Sequence, residues 1–341
     1  MTDANKPFDP DAPASEGSGI FGLDHTPERA RIVLVPVPFD ATTSYRQGTA
    51  DGPTAMLAAS HQVDLYDTEM GAIHEAGIAL LEETDEARHV NGVARALAEA
   101  ARNAGDEGTR ALDEVNRITT RLHEGVYARV QALLKAGKIV GTLGGEHSVA
   151  FGAIQAHVEK YPDMGVLHLD AHADLRLRFE GFEWSHASAL RNVLDKTPLK
   201  TLVQVGIRDV GQSEMAYVDE NGARVRTFLD QQVAERLLSG ATFATMSAQI
   251  IERLPQQVYV SFDIDALDPC LCPNTGTPVP GGLSFHQACM LLKAVTDSGR
   301  QIVGFDLTEV TPGSDDFEGS FDANVGARIL YKLCGRTLQH R

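Results

Sequence analysis

Every residue from Ile32 to Phe39 is apolar, so a strand built from Arg31 to Phe39 is hydrophobic on both faces. Such a strand must be covered from two sides, as it is in a parallel sheet flanked by helices. Buried-strand patterns return at Ile139 to Leu143, Gly165 to Asp170, Leu202 to Ile207, Val225 to Leu229, Gln257 to Phe262 and Gln301 to Leu307. Helical segments separate them: one opened by Gly52-Pro53 and running through Met56 and Leu57, then Ser148 to Lys160, Ser188 to Leu194, Gln231 to Leu238, Met246 to Arg253 and Phe285 to Ser298. The stretch from Asp85 to Lys138 carries Val93, Leu97, Leu122, Val126, Val130 and Leu133 at helical spacing, and reads as one or two long helices broken near Gly105 to Gly108. Strands alternating with helices predict one three-layer α/β/α domain with a mostly parallel central sheet, spanning residues 29–341. Residues 1–28, dominated by Pro, Asp, Gly and Ser, are expected to form a partly ordered arm.

With 341 residues, 43% of them hydrophobic, the chain can bury a substantial core. A formal net charge of −17 argues against non-specific binding to nucleic acid or anionic membranes and weakly suits a cationic small molecule. The four cysteines, Cys270, Cys272, Cys289 and Cys334, are too few and too irregular for a disulfide framework, which points to a reducing compartment. The first 28 residues have neither the basic start nor the apolar core of a targeting peptide. No window approaches the roughly 20 apolar residues needed to span a bilayer. A soluble, cytoplasmic protein is the expectation.

In an open parallel sheet, ligands gather at the carboxyl ends of the strands. Most of the unusual polar residues fall there. Gly144-Gly-Glu-His-Ser148 follows the Ile139 strand, Asp170-Ala-His-Ala-Asp174 follows the next, Asp263 and Asp265 end a third, and Glu309 follows the Gln301 strand. One pocket holding His147, Asp170, His172, Asp174, Asp263, Asp265 and Glu309 is predicted. Four aspartates buried together would repel one another, and desolvation would add to the cost of ionising them. Two divalent cations would balance those four charges, with His147 and His172 as nitrogen ligands. Mainly carboxylate oxygen with some imidazole suits Mn²⁺, with Co²⁺, Ni²⁺ or Fe²⁺ as alternatives. A lone Asp-x-His arises by chance and an Asp-x-Asp turn is often only helix capping; their coincidence at several strand tips is what singles them out. Two metals about 3.5 to 4 Å apart can activate a shared water, which predicts hydrolysis without choosing a substrate.

At these residues the sequence closely resembles the ureohydrolase family of arginases and agmatinases. The resemblance is carried by Gly144-Gly-Glu-His-Ser148, Asp170-Ala-His-Ala-Asp174, Ser261-Phe-Asp-Ile-Asp-Ala-Leu-Asp-Pro269 and Thr275-Gly-Thr-Pro-Val-Pro-Gly-Gly-Leu283, with further likeness from Pro36-Val-Pro-Phe39 through Gly52-Pro53 to Glu309-Val-Thr-Pro312. It implies an arginase-like fold and two Mn²⁺ per subunit: one held by His147 and Asp174, the other by His172 and Asp265, with Asp170 and Asp263 bridging. It further implies that His186 relays protons and Glu309 receives the substrate guanidinium, joining Asp174 in the catalytic set. A homotrimer or homohexamer acting on a small guanidino substrate is the implied assembly and partner.

The subfamily turns on fewer residues. Asp174-Leu-Arg176 followed by Ser185-His-Ala187 is more similar to many prokaryotic agmatinases than to animal arginases. The expected reaction is therefore agmatinase-like, releasing urea and an amine. Arg176 could instead favour a carboxylate-bearing substrate, or be tied up in a local ion pair, and Trp184 could narrow the mouth. Guanidinobutyrase, guanidine hydrolase, arginase and formimidoylglutamase are the alternatives within the family. Outside it stand a single-zinc deacetylase, against which the additional ligands argue, and a non-catalytic ureohydrolase-like subunit, which should have lost ligands.

Overall fold

The computed structural model describes residues 8–103, 105–313 and 316–339. The strands are β1 (Ile32–Val37), β2 (Ile78–Leu80), β3 (Ile139–Gly144), β4 (Gly165–Leu169), β5 (Leu202–Ile207), β6 (Val225–Leu229), β7 (Gln257–Asp263) and β8 (Gln301–Thr308). The α-helices are α1 (Gly52–Ser60), α2 (Asp85–Ala101), α3 (Asp106–Lys135), α4 (Ala150–Lys160), α5 (Ala189–Lys196), α6 (Gln212–Glu220), α7 (Asp230–Leu238), α8 (Phe243–Ile251), α9 (Phe285–Asp297) and α10 (Phe321–Thr337). All strand pairs are parallel, in the order β2-β1-β3-β8-β7-β4-β5-β6.

This order positions the site. The chain leaves β3 and enters β4 without pairing the two, and the gap is filled later by β7 and β8. Four neighbouring strands, β3, β8, β7 and β4, therefore end side by side in the polar loops. Their register is matched: Leu143 pairs with Leu307, Asp263 with Thr308 and Leu169 with Phe262. β1, β3, β4 and β5 are buried along their whole length, as strands apolar on both parities require.

Three features depart from the sequence reading. β6 lies at the sheet edge and only Val225 is buried, so it is not a strand covered on both faces. β2 is a three-residue edge strand, too short to show a pattern. The sequence reading contains neither α6 nor α10; α10 is buried on most sides, uses Ala323, Gly326, Ala327 and Gly335 for close packing, and leaves only a narrow polar stripe of Asn324, Arg328 and Lys332 partly exposed.

The long helical stretch divides near Gly105, which has φ 109° and sits between α2 and α3. Thr84 caps α2 by accepting the Ala87 N–H at 3.2 Å. Asn91 of α2 donates to Asp40 at 3.0 Å and Arg95 forms an ion pair with the same carboxylate. Asp40 in turn accepts the main-chain N–H groups of Gly48 at 2.9 Å and Ala50 at 3.2 Å. α2 thereby shapes the loop that follows β1. Within the N-terminal segment, whose first seven residues lie outside the described residues, Ile20, Phe21 and Leu23 are buried. The Phe21 N–H donates to Ser60 Oγ at 2.8 Å and its ring meets Tyr331 edge-on at 4.8 Å. Among the described residues no helix is long and apolar enough to cross a membrane, and the four cysteines are unpaired.

The second glycine of the β3 turn is dictated by close approach, because a Cβ on Gly145 would stand 1.8 Å from the Phe39 carbonyl oxygen. In α2, by contrast, a Cβ on Gly92 would meet nothing within 4 Å. Gly145→Ala should destabilise the protein by about 1–3 kcal/mol or more, and Gly92→Ala should stabilise it by about 0.5–1 kcal/mol. Thermal melts at matched metal content check the pair; a Gly145→Ala protein melting at or above wild type would refute the close-packing account.

Candidate metal centre

Asp170 leaves the end of β4 with its two carboxylate oxygens facing different neighbours. His147 Nδ1, from the β3 turn, lies 3.0 Å from Asp170 Oδ2, 3.1 Å from Asp174 Oδ2 and 3.4 Å from Asp263 Oδ2. His172 Nδ1 lies 3.4 Å from Asp170 Oδ1 and 3.1 Å from Asp265 Oδ2. The result is two donor groups sharing one carboxylate. The backbone fixes them further, since Asp263 accepts the Asp265 N–H at 2.8 Å and Asp265 accepts the Ala171 N–H at 3.0 Å. Asp174 and Glu309 both sit at positive φ, 54° and 62°, a conformation that costs a non-glycine residue energy and is found where function over-determines the backbone.

Behind His147, Ser261 Oγ donates to Asp306 at 2.9 Å and so must accept from His147 Nε2, also at 2.9 Å. With its Nε2 proton spent there, a neutral His147 presents the Nδ1 lone pair to the carboxylates, the tautomer a metal ligand needs. His168 works differently. Its Nδ1 accepts from Gln204 at 3.0 Å, so its Nε2–H donates to Asp170 Oδ2 at 2.8 Å. His168 thus supports Asp170 and keeps no lone pair for a cation. His168, Asp306 and the role of Ser261 escaped the sequence reading; the available signal was a polar residue inside an otherwise apolar buried strand.

The charges are poorly balanced without cations. Burial, joined by the negative charge of neighbouring aspartates, pushes Asp263 well above the usual carboxylate range and Asp174 up to about 7. Burial also works to raise Asp170, but His168, His147 and His172 hold it well below that range. For His147 and His172 burial favours the neutral ring, yet the surrounding carboxylates raise both well above an ordinary histidine. Asp174 Oδ2 is buried and takes no hydrogen bond among the described residues. A donor set of carboxylates and imidazoles with an orphaned oxygen fits divalent metal, and two clusters could each hold an ion: His147, Asp170 and Asp174 with His168 beside them, and Asp170, His172 and Asp265.

The remaining predicted residues border this cluster. Glu309 is buried and accepts the His147 N–H at 2.8 Å through Oε1. Its other oxygen is bordered by Gly276, whose missing side chain leaves room there, since a Cβ would come within 3.1 Å. Burial, with the nearby Glu146 charge, raises Glu309 well above its usual value. His186 stands edge-on to Phe179, with ring centroids 6.1 Å apart, and its Nε2 has no partner among the described residues. Burial pushes its pKa down to about 3, helped by the positive charge of His172. Arg176 lies 3.6 Å from Glu214 and stacks over Phe179, so the local ion pair is what the structure forms. Trp184 does not narrow a mouth: it packs against His123 and Phe151 between α3 and α4, and its Nε1–H donates to Thr120.

A model of the arginase family matches residues 30–335. The chain belongs to the arginase family. It is 35% identical to the N(1)-aminopropylagmatine ureohydrolase of Thermus thermophilus over 93% of this chain and 94% of that one. The agmatinase of Bacillus subtilis is 30% identical over 90% and 91% of the two chains. Among solved structures, the proclavaminate amidinohydrolase of Streptomyces clavuligerus superposes with a TM-score of 0.73 at 27% identity, covering 97% of this chain and 100% of that one. This protein is therefore a hydrolytic enzyme of the arginase family. The single α/β domain and resemblance read from the motifs are borne out, and the cluster is one that could hold the binuclear metal centre the family implies.

The titration shifts give the metal-free protein a definite pH dependence. Asp174 and Asp263 with raised pKa values, and His147 and His172 likewise raised, keep protons in the folded state that the unfolded chain releases. Folded stability is then fully present below the unfolded carboxylate pKa of about 4 and falls as pH rises through 7. The depressed Asp170 acts in the opposite sense, but below that window. His123, His168 and His186, lowered by burial, also act in the opposite sense and offset the loss up to the unfolded histidine pKa of about 6.5. Chelated protein should melt at progressively lower temperature from about pH 6.5 to pH 8, and added Mn²⁺ should raise the melting temperature most at pH 8. A flat profile would contradict this electrostatic account.

Proposed function

We propose that this enzyme hydrolyses a small aliphatic guanidine carrying an amine at its far end, agmatine or a close relative, to urea and an amine. The carrying observation is the two-sided engagement of Asp170, which supports assigning His147 and Asp174 to one Mn²⁺, His172 and Asp265 to the other, and Asp170 to both; the motif resemblance adds Asp263 to both, and its contact with His147 agrees with the first of these. When bound, such ions supply Lewis-acid charge and lower the pKa of water.

The protein's own groups do the rest. Glu309, fixed through Oε1 by the His147 N–H, offers Oε2 to the guanidinium, whose charge would hold the glutamate ionised despite burial. His186, neutral and unpartnered at Nε2, takes a proton and returns it to the leaving amine. The amine tail is favoured because Arg176 is matched by Glu214, which removes the main reason to expect a carboxylate at the far end, and because the relatives include enzymes named for agmatine and aminopropylagmatine. A cytoplasmic homotrimer or homohexamer remains the proposed setting, on the strength of the motif resemblance.

Urea release by Mn²⁺- and Ni²⁺-loaded protein should be compared on agmatine, N(1)-aminopropylagmatine, arginine, guanidinobutyrate, guanidinopropionate and guanidine. The amine-tailed compounds should turn over fastest; guanidinobutyrate ahead of them would overturn the tail assignment. His186→Ala should keep its metals and lose about 10²- to 10⁴-fold in kcat. Glu309→Gln should lose about 10- to 100-fold in kcat/KM.

A further inference from the structure

The proposed proton carrier is held from outside its own loop. His186 opens a short 3-10 turn, His186–Ser188, and the N–H groups at the start of such a turn have no partner within it. Ser185 accepts the Ala187 N–H at 3.2 Å. The His186 N–H instead crosses to the loop after β1 and donates to Thr42 Oγ1 at 3.0 Å.

Thr42 is oriented in turn by a buried acid. Its hydroxyl donates to Glu146 Oε1 at 2.6 Å, and its main-chain N–H donates to Glu146 Oε2 at 2.7 Å. Ser148 also donates to Glu146, so each of these bonds uses the carboxylate as an acceptor. A threonine hydroxyl has one proton. With that proton given to Glu146, its lone pair is left facing the His186 N–H, and the direction of the whole chain is set: His186 N–H to Thr42 hydroxyl to Glu146 carboxylate. Glu146 adjoins His147 in sequence, so the chain ties the candidate ligand turn to the loop of the proton carrier.

A second tie runs beside it. Arg102, near the end of α2, donates to the Thr43 carbonyl at 2.9 Å and pairs with Glu180 at 2.6 Å. Adjacent residues of the β1 loop therefore grip the segment around residues 180–186 at two points. Thr42 and Glu146 are both buried, and neither touches the carboxylate–histidine cluster directly in the contacts that define it.

We infer that Thr42 is a positioning residue for His186, holding its backbone at the height from which the imidazole reaches the reacting centre, with Glu146 as the anchor of that contact. The inference rests on the reading of His186 as the proton carrier. Misplacement of a reacting group by about 1 Å can cost about 10²-fold in rate, so a single backbone tether is enough to matter.

Thr42→Val tests this, because it preserves side-chain shape and the main-chain bond to Glu146 while leaving the His186 N–H without its acceptor. With agmatine as substrate and Mn²⁺-loaded enzyme, kcat should fall about 10- to 100-fold while KM stays within about twofold. Bound manganese should match wild type, and Thr42→Ser should restore most of the lost rate. In a His186→Ala background Thr42→Val should cause no further loss, since the two act as one unit. Independently of turnover, carbethoxylation of His186 by diethyl pyrocarbonate, mapped by peptide mass spectrometry, should become severalfold faster in Thr42→Val.

Unchanged kcat or an unchanged modification rate in Thr42→Val overturns the proposal, as does a Thr42→Ser enzyme as slow as the valine variant. Loss of manganese in step with activity would make Thr42 part of metal retention instead, and an additive loss on top of His186→Ala would place its action elsewhere. Full activity in His186→Ala alone removes the reading on which the proposal rests, and the proposal with it. That result is distinguishable from failure of the tether, in which His186→Ala is slow and Thr42→Val is not.

Discussion

Burying several carboxylates at one point is the constraint from which the rest of the architecture follows. Asp170, Asp174, Asp263, Asp265 and Glu309 are all buried at the ends of adjacent strands. Each such group is expensive to desolvate in charged form. The chain offsets part of the cost with oriented donors: His168 on Asp170, the Ala171 N–H on Asp265, the Asp265 N–H on Asp263 and the His147 N–H on Glu309. What these donors leave unsatisfied is concentrated at Asp174 and between the two histidines. That is where cationic charge would stabilise the fold as well as serve the chemistry.

The sheet order is the means of bringing these groups together. Sequence neighbours cannot do it, because Asp170 and Asp263 belong to segments separated by three intervening helix-containing units. Inserting β8 and β7 between β3 and β4 makes four loops converge, the crevice that a break in strand order creates in this class of sheet. The long α2 and α3 pair acts one layer further out. α2 shapes the β1 loop through Asp40, and α3 receives Trp184 through Thr120 and His123. Loops on either side of His186 are thus braced by the same helical pair.

Much of this was legible in the sequence because it rests on local rules. Strands covered on both faces announce themselves by apolar residues at both parities, and β1, β3, β4 and β5 are such strands. The carboxylates and histidines stood out because they follow those strands directly. β6 misled because an edge strand can carry Phe228 and Leu229 while exposing them in part, and α10 was easy to overlook because most of its sides are buried and its polar stripe, Asn324, Arg328 and Lys332, is only one residue wide. The supporting residues were hidden for a different reason. Thr42, Gln204 and Asp306 have ordinary residue identities, and what distinguishes them is a partner 31 to 144 positions away. Only the paired strands and loops reveal those partners.

The same distinction separates what the motifs determine from what they leave open. Residues on the strand tips are fixed by charge balance and hydrogen bonding to one another, so a change in substrate tail gives them no reason to differ. The loops after β1 and after Asp174 are held by pairings of their own: Arg102 to Glu180, Arg176 to Glu214, and Thr42 to both Glu146 and His186. Arg176 illustrates the consequence. Read as a residue type it suggests affinity for an anionic tail, but with Glu214 beside it and Phe179 beneath it, its charge and its planar face are both already engaged. The residue type alone therefore does not decide what such a loop presents; the partners that the fold places beside it do.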